Sequence, residues 1–296
     1  MILSNRTLGL ALGLLAVIIF GGSLPATRLA VVDLDPWFVI AARAAIAGLA
    51  ALAVLALLRR RIPRGHLGAF ATLTLCLVLG FPALSALALT TVPSAHGGVI
   101  LALLPLATAA AAVIFAGERP SPAFWVFAVL GSAIVLVFAL RDSELKVVAG
   151  DIYLVLSVII AAIGYAISGR LARIMPGWEV ISWALVFGLP FALPAMVWLW
   201  PHDAASVPLP AWLGVLYVAT MSQYAGFWAW NAALAKGGVA RVGQVQLLQP
   251  FVTFVIATLI VGETIHGEMI AFAIAVVVVV ALGRRATVKG PPAPAG

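Results

Sequence analysis

The chain is a succession of apolar runs, each about twenty residues long, separated only by short polar breaks. A helix needs about 20 mostly apolar residues to cross the hydrocarbon of a bilayer. Broken at charges and at proline or glycine clusters, the sequence yields ten runs: 8–30, 37–58, 67–89, 96–116, 122–140, 151–170, 179–200, 211–234, 241–262 and 267–284. Composition agrees, with 64% hydrophobic and 9% charged residues, where a soluble domain carries roughly a quarter charged. Lipid offers no partner to a backbone amide, so each run is predicted to be a helix. The expectation is an all-α membrane protein with ten transmembrane helices. The breaks are too short for an inserted soluble domain.

A net charge of +7 could suggest nucleic acid, but the basic residues cluster at the ends of apolar runs, where they orient helices. With the N-terminus in the cytoplasm, the inside segments hold Arg6, Arg59, Arg60, Arg61, Arg64, Arg119, Arg170, Arg173, Lys236, Arg241, Arg284, Arg285 and Lys289, thirteen of seventeen basic residues. Outside lie only Arg28, Arg141 and Lys146, and Arg43 falls within the second run. Both termini are therefore expected to be cytoplasmic. The N-terminal run continues past Pro25 without a clear cleavage site and reads as a retained first span. The single cysteine, Cys76, excludes an intramolecular disulfide and reads as a small core residue.

The two halves echo each other. "LLPLATAAAAVIFAGE" places Pro105 thirteen residues before Glu118, and "LLQPFVTFVIATLIVGE" places Pro250 thirteen residues before Glu263. "TRLAVVDLDPW" is matched weakly by "GRLARIMPGW". The boundaries read as 1–148 for one five-helix repeat, 149–286 for the second and 287–296 for a disordered cytoplasmic tail. Five is odd, so the copies should sit upside down relative to each other, an inverted repeat with a site between the halves near the membrane midplane.

Ten helices in a five-plus-five repeat, with a Pro…Gly-Glu pattern ending the fourth and ninth spans, resemble the drug/metabolite transporter superfamily, EamA type. "WNAALAKGGVARVGQVQLLQPFVTFVIATLIVGE" is similar to that family's most recognisable segment. The aromatic-rich spans most resemble YddG-type exporters of aromatic amino acids. One departure is Phe20-Gly21 where many members have Trp-Gly. The resemblance implies a bacterial inner-membrane carrier working outward by alternating access, and no cofactor.

On the ninth helix, Val242, Gln246, Gln249 and Thr253 fall on one face. Gln246 and Gln249 lie roughly 8 and 12 Å in from the cytoplasmic end. Unpaired amides at that depth cost on the order of several kcal/mol, which favours a cavity. Pro250 removes the helical partner of the Gln246 carbonyl, Pro105 that of Leu101 and Pro25 that of Gly21. These three prolines are expected bend points. Gln244 points elsewhere, toward interfacial water. The eighth helix carries a stripe of Tyr217, Met221, Tyr224, Trp228 and Asn231, which mixes ring surface with polar tips.

The expected site thus has Gln246 and Gln249 at the polar end of a substrate, and Tyr224, Trp228, Phe20 and Phe81 around its apolar body. Repeat symmetry adds Ser85, Ser23 and Tyr165. Arg43 lies near the outer end of its helix and is expected to snorkel or pair with Asp33 or Asp35, in preference to holding a substrate carboxylate. The Gly-Glu pairs read as helix-end structure. The sixth-helix stripe Ser157, Ala161, Gly164 and Ser168 reads as close packing.

No mid-membrane carboxylate or histidine relay is visible, nor a phosphate-binding loop, a metal motif or a hydrolase motif. No catalytic residue and no metal site are expected. Few deep basic residues argue against highly anionic cargo, and the missing carboxylate against a cation pump. The partners expected are the bilayer and a neutral or zwitterionic small molecule, with hydrophobic or aromatic amino acids foremost. Exporters of other metabolites or small amphipathic drugs, and a channel or scaffold, remain alternatives. Each chain holds both halves, so a monomer would suffice.

Overall fold

The computed structural model describes residues 5–92, 97, 100–140, 149–261, 267–283 and 286–289. Within them every one of the ten apolar stretches is helical. Six helical runs, Thr7–Asp33, Pro36–Leu57, Arg64–Thr91, Ala149–Leu171, Gly177–Trp198 and Val239–Ile256, are long and apolar enough to cross a membrane, and Leu104–Ala116, Pro122–Val137 and Ile274–Gly283 are shorter apolar helices. The eighth stretch is helical over 209–237 but is missing from both groups. Its amides, indoles and hydroxyls dilute its apolar character, the first sign that it faces something other than lipid.

Two π turns and two 3₁₀ turns within these helices come in matched pairs. The third stretch widens into a π turn at Thr74–Gly80, and the eighth does so at Val218–Ala225. The closing bonds, Phe81 N–H to the Cys76 carbonyl and Gly226 N–H to the Met221 carbonyl, lie 145 positions apart. The fourth and ninth stretches tighten into 3₁₀ turns at Leu101–Leu103 and Gln244–Leu248. Pro105 and Pro250 explain the second pair. Each proline removes the fourth-residue donor, and the Leu101 and Gln246 carbonyls accept instead from the N–H groups of Leu104 and Gln249. The carbonyl expected to be free at Gln246 is therefore bonded within its own helix.

The packing respects the same twofold division. The second stretch packs on the seventh, the fifth on the tenth and the fourth on the ninth. The first packs on the eighth and, equivalently, the sixth on the third. Glycines allow close approaches between helices: a Cβ on Gly164 would stand 2.5 Å from the Leu77 side chain, and one on Gly214 would stand 2.5 Å from the Ala26 carbonyl. The expected packing role of the sixth-helix stripe is seen here, because small residues let helices touch without hydrophobic help from lipid.

The first stretch breaks at Gly22, between helices Asn5–Gly21 and Ser23–Asp33. Pro25 deprives the Gly21 carbonyl of its helical donor, and the Thr253 hydroxyl supplies one from the ninth stretch at 2.9 Å. The neighbouring Ile19 carbonyl accepts from Tyr217 at 2.8 Å. The helix break just before Pro25 is thus tied to two other helices.

At the end of the fourth helix, the Glu118 carboxylate is 2% exposed and accepts from the N–H groups of Val239 and Ala240, both at 2.8 Å. It also pairs with Arg173 at 2.8 Å. This is the helix-end role expected of a Gly-Glu pair, and it caps the N-terminus of the ninth stretch with a carboxylate. Its repeat mate Glu263 lies outside the described residues. The tail expected to be disordered from 287 begins with order: Val288–Lys289 pairs antiparallel with Arg119–Pro120, and Ser121 N–H donates to the Thr287 carbonyl. The short ladder satisfies backbone groups that a free tail would leave to water.

A central cavity and a separate aromatic cleft

The irregular segments converge on one interior cavity. Its walls include Phe20, Ser23 and Leu24 from the broken first stretch, and Phe81 from the third. Leu101 and Leu104 come from the 3₁₀ region of the fourth and Tyr165 from the sixth. The eighth gives Ser222, Gln223 and Phe227, the ninth gives Gln249, and the second gives Arg43. Helices of both halves meet there. The walls crowd this space so closely that it would hold little more than one water. Admission of a metabolite therefore requires these helices to part.

Aromatic rings form one side. Phe20 lies 5.2 Å from Phe227 and 6.0 Å from Trp230, and Tyr165 lies 5.2 Å from Trp230, all tilted or edge-on as ring quadrupoles prefer. Polar groups form another. Ser222 donates to Ser23 at 2.9 Å, and Gln249 lines the same cavity. Of the residues expected at the site, the structure gathers Phe20, Ser23, Phe81, Tyr165 and Gln249.

The others are elsewhere. Gln246 is 2% exposed and sits within reach of the Tyr165 hydroxyl, yet neither amide atom completes a hydrogen bond. Ser85 is buried with its hydroxyl likewise unpaired. Gln244, expected to reach water, is buried and donates to the Pro105 carbonyl at 3.4 Å. Tyr224 shares a hydrogen bond with Ser182 at 2.9 Å and packs 5.1 Å from Trp228. Trp228, 39% exposed, stacks near Trp178 in a separate cleft with Arg173 and Lys236. Helical spacing grouped Tyr224 with Trp228, but both lie away from the cavity, and the π turn at Val218–Ala225 breaks the rest of the expected stripe. Asn231, at its end, ties three helices by accepting from Ser168 at 2.6 Å and donating to the Gly177 carbonyl at 3.0 Å.

Arg43 overturns the expectation for it. It neither snorkels nor pairs with Asp33 or Asp35. Asp35 instead caps its own helix, accepting from Trp37 and Phe38, and Arg43 is 4% exposed beside the cavity. Its Nη2 donates to Gln223 Oε1 at 2.7 Å, and Gln223 Nε2 donates to the Leu77 carbonyl at 3.0 Å. That carbonyl is available for a definite reason. The π turn commits the Phe81 N–H to Cys76, and the next residue along, Pro82, has no N–H. The signals in sequence were a lone arginine inside a span and a lone glutamine in the eighth helix, but nothing local joined them.

The chain is a multi-pass helical bundle with two pseudo-equivalent halves and a cavity where they meet. Residues 7–140 and 148–283 each match the EamA-like transporter family, and the chain belongs to it: a transporter of small molecules and not an enzyme. It is 43% identical over 284 residues to the uncharacterized transporter YdeK of Bacillus subtilis (strain 168), covering 96% of this chain and 99% of that one. It is 28% identical to a probable terminal-alkyne amino-acid exporter of Streptantibioticus cattleyicolor, over 84% of each. A crystal structure shares the fold with a TM-score of 0.74 at 20% identity, covering 94% of this chain and 98% of that one.

Proposed function

We propose that this chain exports neutral or zwitterionic amphipathic metabolites, hydrophobic or aromatic amino acids foremost. The cycle is alternating access between two inverted five-helix repeats in the bacterial inner membrane. In this reading all ten helices span the bilayer, both termini are cytoplasmic, and 1–148 and 149–286 are the two halves. The observation that carries it is the cavity's lining, which combines the aromatic residues Phe20, Phe81, Tyr165 and Phe227 with the polar residues Ser23, Ser222 and Gln249. Such a lining suits a molecule with a flat apolar body and a polar head. The relative named an amino-acid exporter supports the same class of cargo.

Liposomes holding the purified protein and trapped unlabelled substrate provide the test. Labelled phenylalanine and tryptophan should show saturable counterflow, exceeding that of threonine and of a non-amino-acid amphiphile. Non-saturating flux without acceleration by trapped substrate points to a channel. Preference for the amphiphile points to drug or other metabolite export.

A further inference from the structure

We propose that Arg43 anchors the carboxylate of the substrate, and that Gln223 yields its place on the guanidinium when the carboxylate arrives. The inference rests on the carrier reading above and adds a charged group to it.

The argument begins with an uncompensated charge. A guanidinium held away from water in a low-dielectric interior is strongly destabilising unless an anion accompanies it. The acids that could serve are engaged elsewhere: Glu118 pairs with Arg173, Glu179 with Arg60 at 3.7 Å, and Asp35 caps a helix. Among the described residues no carboxylate comes within ion-pair distance of Arg43. Its hydrogen-bond partner is a neutral amide oxygen, and its Nε has none. A guanidinium is a planar fork whose parallel N–H groups match the two oxygens of a carboxylate. Here the Nε–Nη2 edge is half used, by a group that offers one oxygen and no charge.

Gln223 is built to be displaced at little loss. Its amide nitrogen stays bonded to the Leu77 carbonyl when its oxygen leaves Arg43. Gln223 and Leu77 sit in the paired π turns of the two halves, so a carboxylate on Arg43 removes one of the two hydrogen bonds by which Gln223 joins the halves. Binding then loosens a link that the transport cycle must loosen in any case. The rival explanation makes Arg43 and Gln223 a permanent structural tie among the second, third and eighth helices.

Thermal unfolding of the purified protein in nanodiscs separates the two, using 3-phenylpropionate and 3-phenylpropanamide, which share a shape and differ in charge. The acid should stabilise the wild type with an apparent affinity roughly 10–100-fold tighter than the amide, the scale of charge-assisted hydrogen bonds. Arg43→Gln should abolish that preference. Gln223→Glu supplies Arg43 with a permanent carboxylate, so it should fold well and also lose the preference; it decides the matter if Arg43→Gln does not fold. Equal effects of acid and amide on the wild type, no effect of either, or a preference surviving in either variant overturns the proposal. Acid binding with silent amino-acid counterflow would leave Arg43 as an anion anchor and remove the amino-acid reading instead.

Discussion

The Thr253 hydroxyl donates to the Gly21 carbonyl at 2.9 Å across 232 residues of sequence. Pro25 orphans that carbonyl, so the bond completes a helix that its own sequence leaves incomplete. Thr253→Val keeps the shape and strands the acceptor in a buried site, which should destabilise the protein by about 1–3 kcal/mol. Pro25→Ala restores a backbone donor, so the double variant should recover part of that loss. Thermal unfolding of the four proteins in detergent reads the coupling directly, and additive losses would show that Thr253 is not substituting for the missing N–H.

Glu118 joins the fourth helix to the start of the ninth and to Arg173 through three charge-assisted hydrogen bonds. Glu118→Ala strands two N–H groups and a cation, and should destabilise by about 2–4 kcal/mol. Arg173→Gln should cost no more than about 1 kcal/mol, because Arg173 is partly solvated and Glu118 keeps its two backbone donors. The order of the two unfolding temperatures is the check. An equal or larger loss in Arg173→Gln would assign the stabilisation to the ion pair instead of the cap.

What the sequence discloses and what it hides divide along physical lines. Helix location, the paired breaks at Pro105 and Pro250 and the Glu118 cap all depend on local composition or on comparison of the halves, and there the sequence is legible, although the Gln246 carbonyl finds a donor in its own helix. Facing directions fared unevenly. The spacing of Tyr224 and Trp228 fixes their common stripe, but only the packing of the seventh helix decides that the stripe turns toward Ser182 and Trp178. Arg43 was visible as an anomaly, and its partner lies 180 residues away. The π turns shift helical phase by one residue, and no motif in the chain announces them. Repeat symmetry, which carries long-range information that periodicity lacks, reached Ser23 and Tyr165 in the cavity and also Ser85, which is not among its walls.

The separation of cavity and cleft has a kinetic consequence. Phe81 lines the cavity, whereas Trp228 stands in the cleft with Lys236. Phe81→Ala removes ring contact worth about 1–2 kcal/mol to an aromatic substrate, so its KM in counterflow should rise roughly tenfold. Trp228→Ala should leave KM within about twofold, since an exposed ring in another cleft makes no such contact. Substrate panels run on both variants give the answer, and a large KM change in Trp228→Ala alone would return the eighth-helix stripe to the binding site.

Gln246 poses the sharpest contrast between stability and transport. Its side-chain amide is buried beside Tyr165 without a hydrogen bond, an arrangement that disfavours this conformation by about 1–3 kcal/mol. Gln246→Leu removes the unpaired atoms while nearly keeping the volume, so the purified protein should unfold at a higher temperature than wild type. If the amide contacts substrate or water once the helices part, the same variant should transport more slowly, trapped in a conformation it now prefers. Raised stability with reduced counterflow would mark Gln246 as a group whose partner belongs to another stage of the cycle. Raised stability with undiminished counterflow would leave it no part in transport, and Gln249 alone would represent the ninth helix in the cavity.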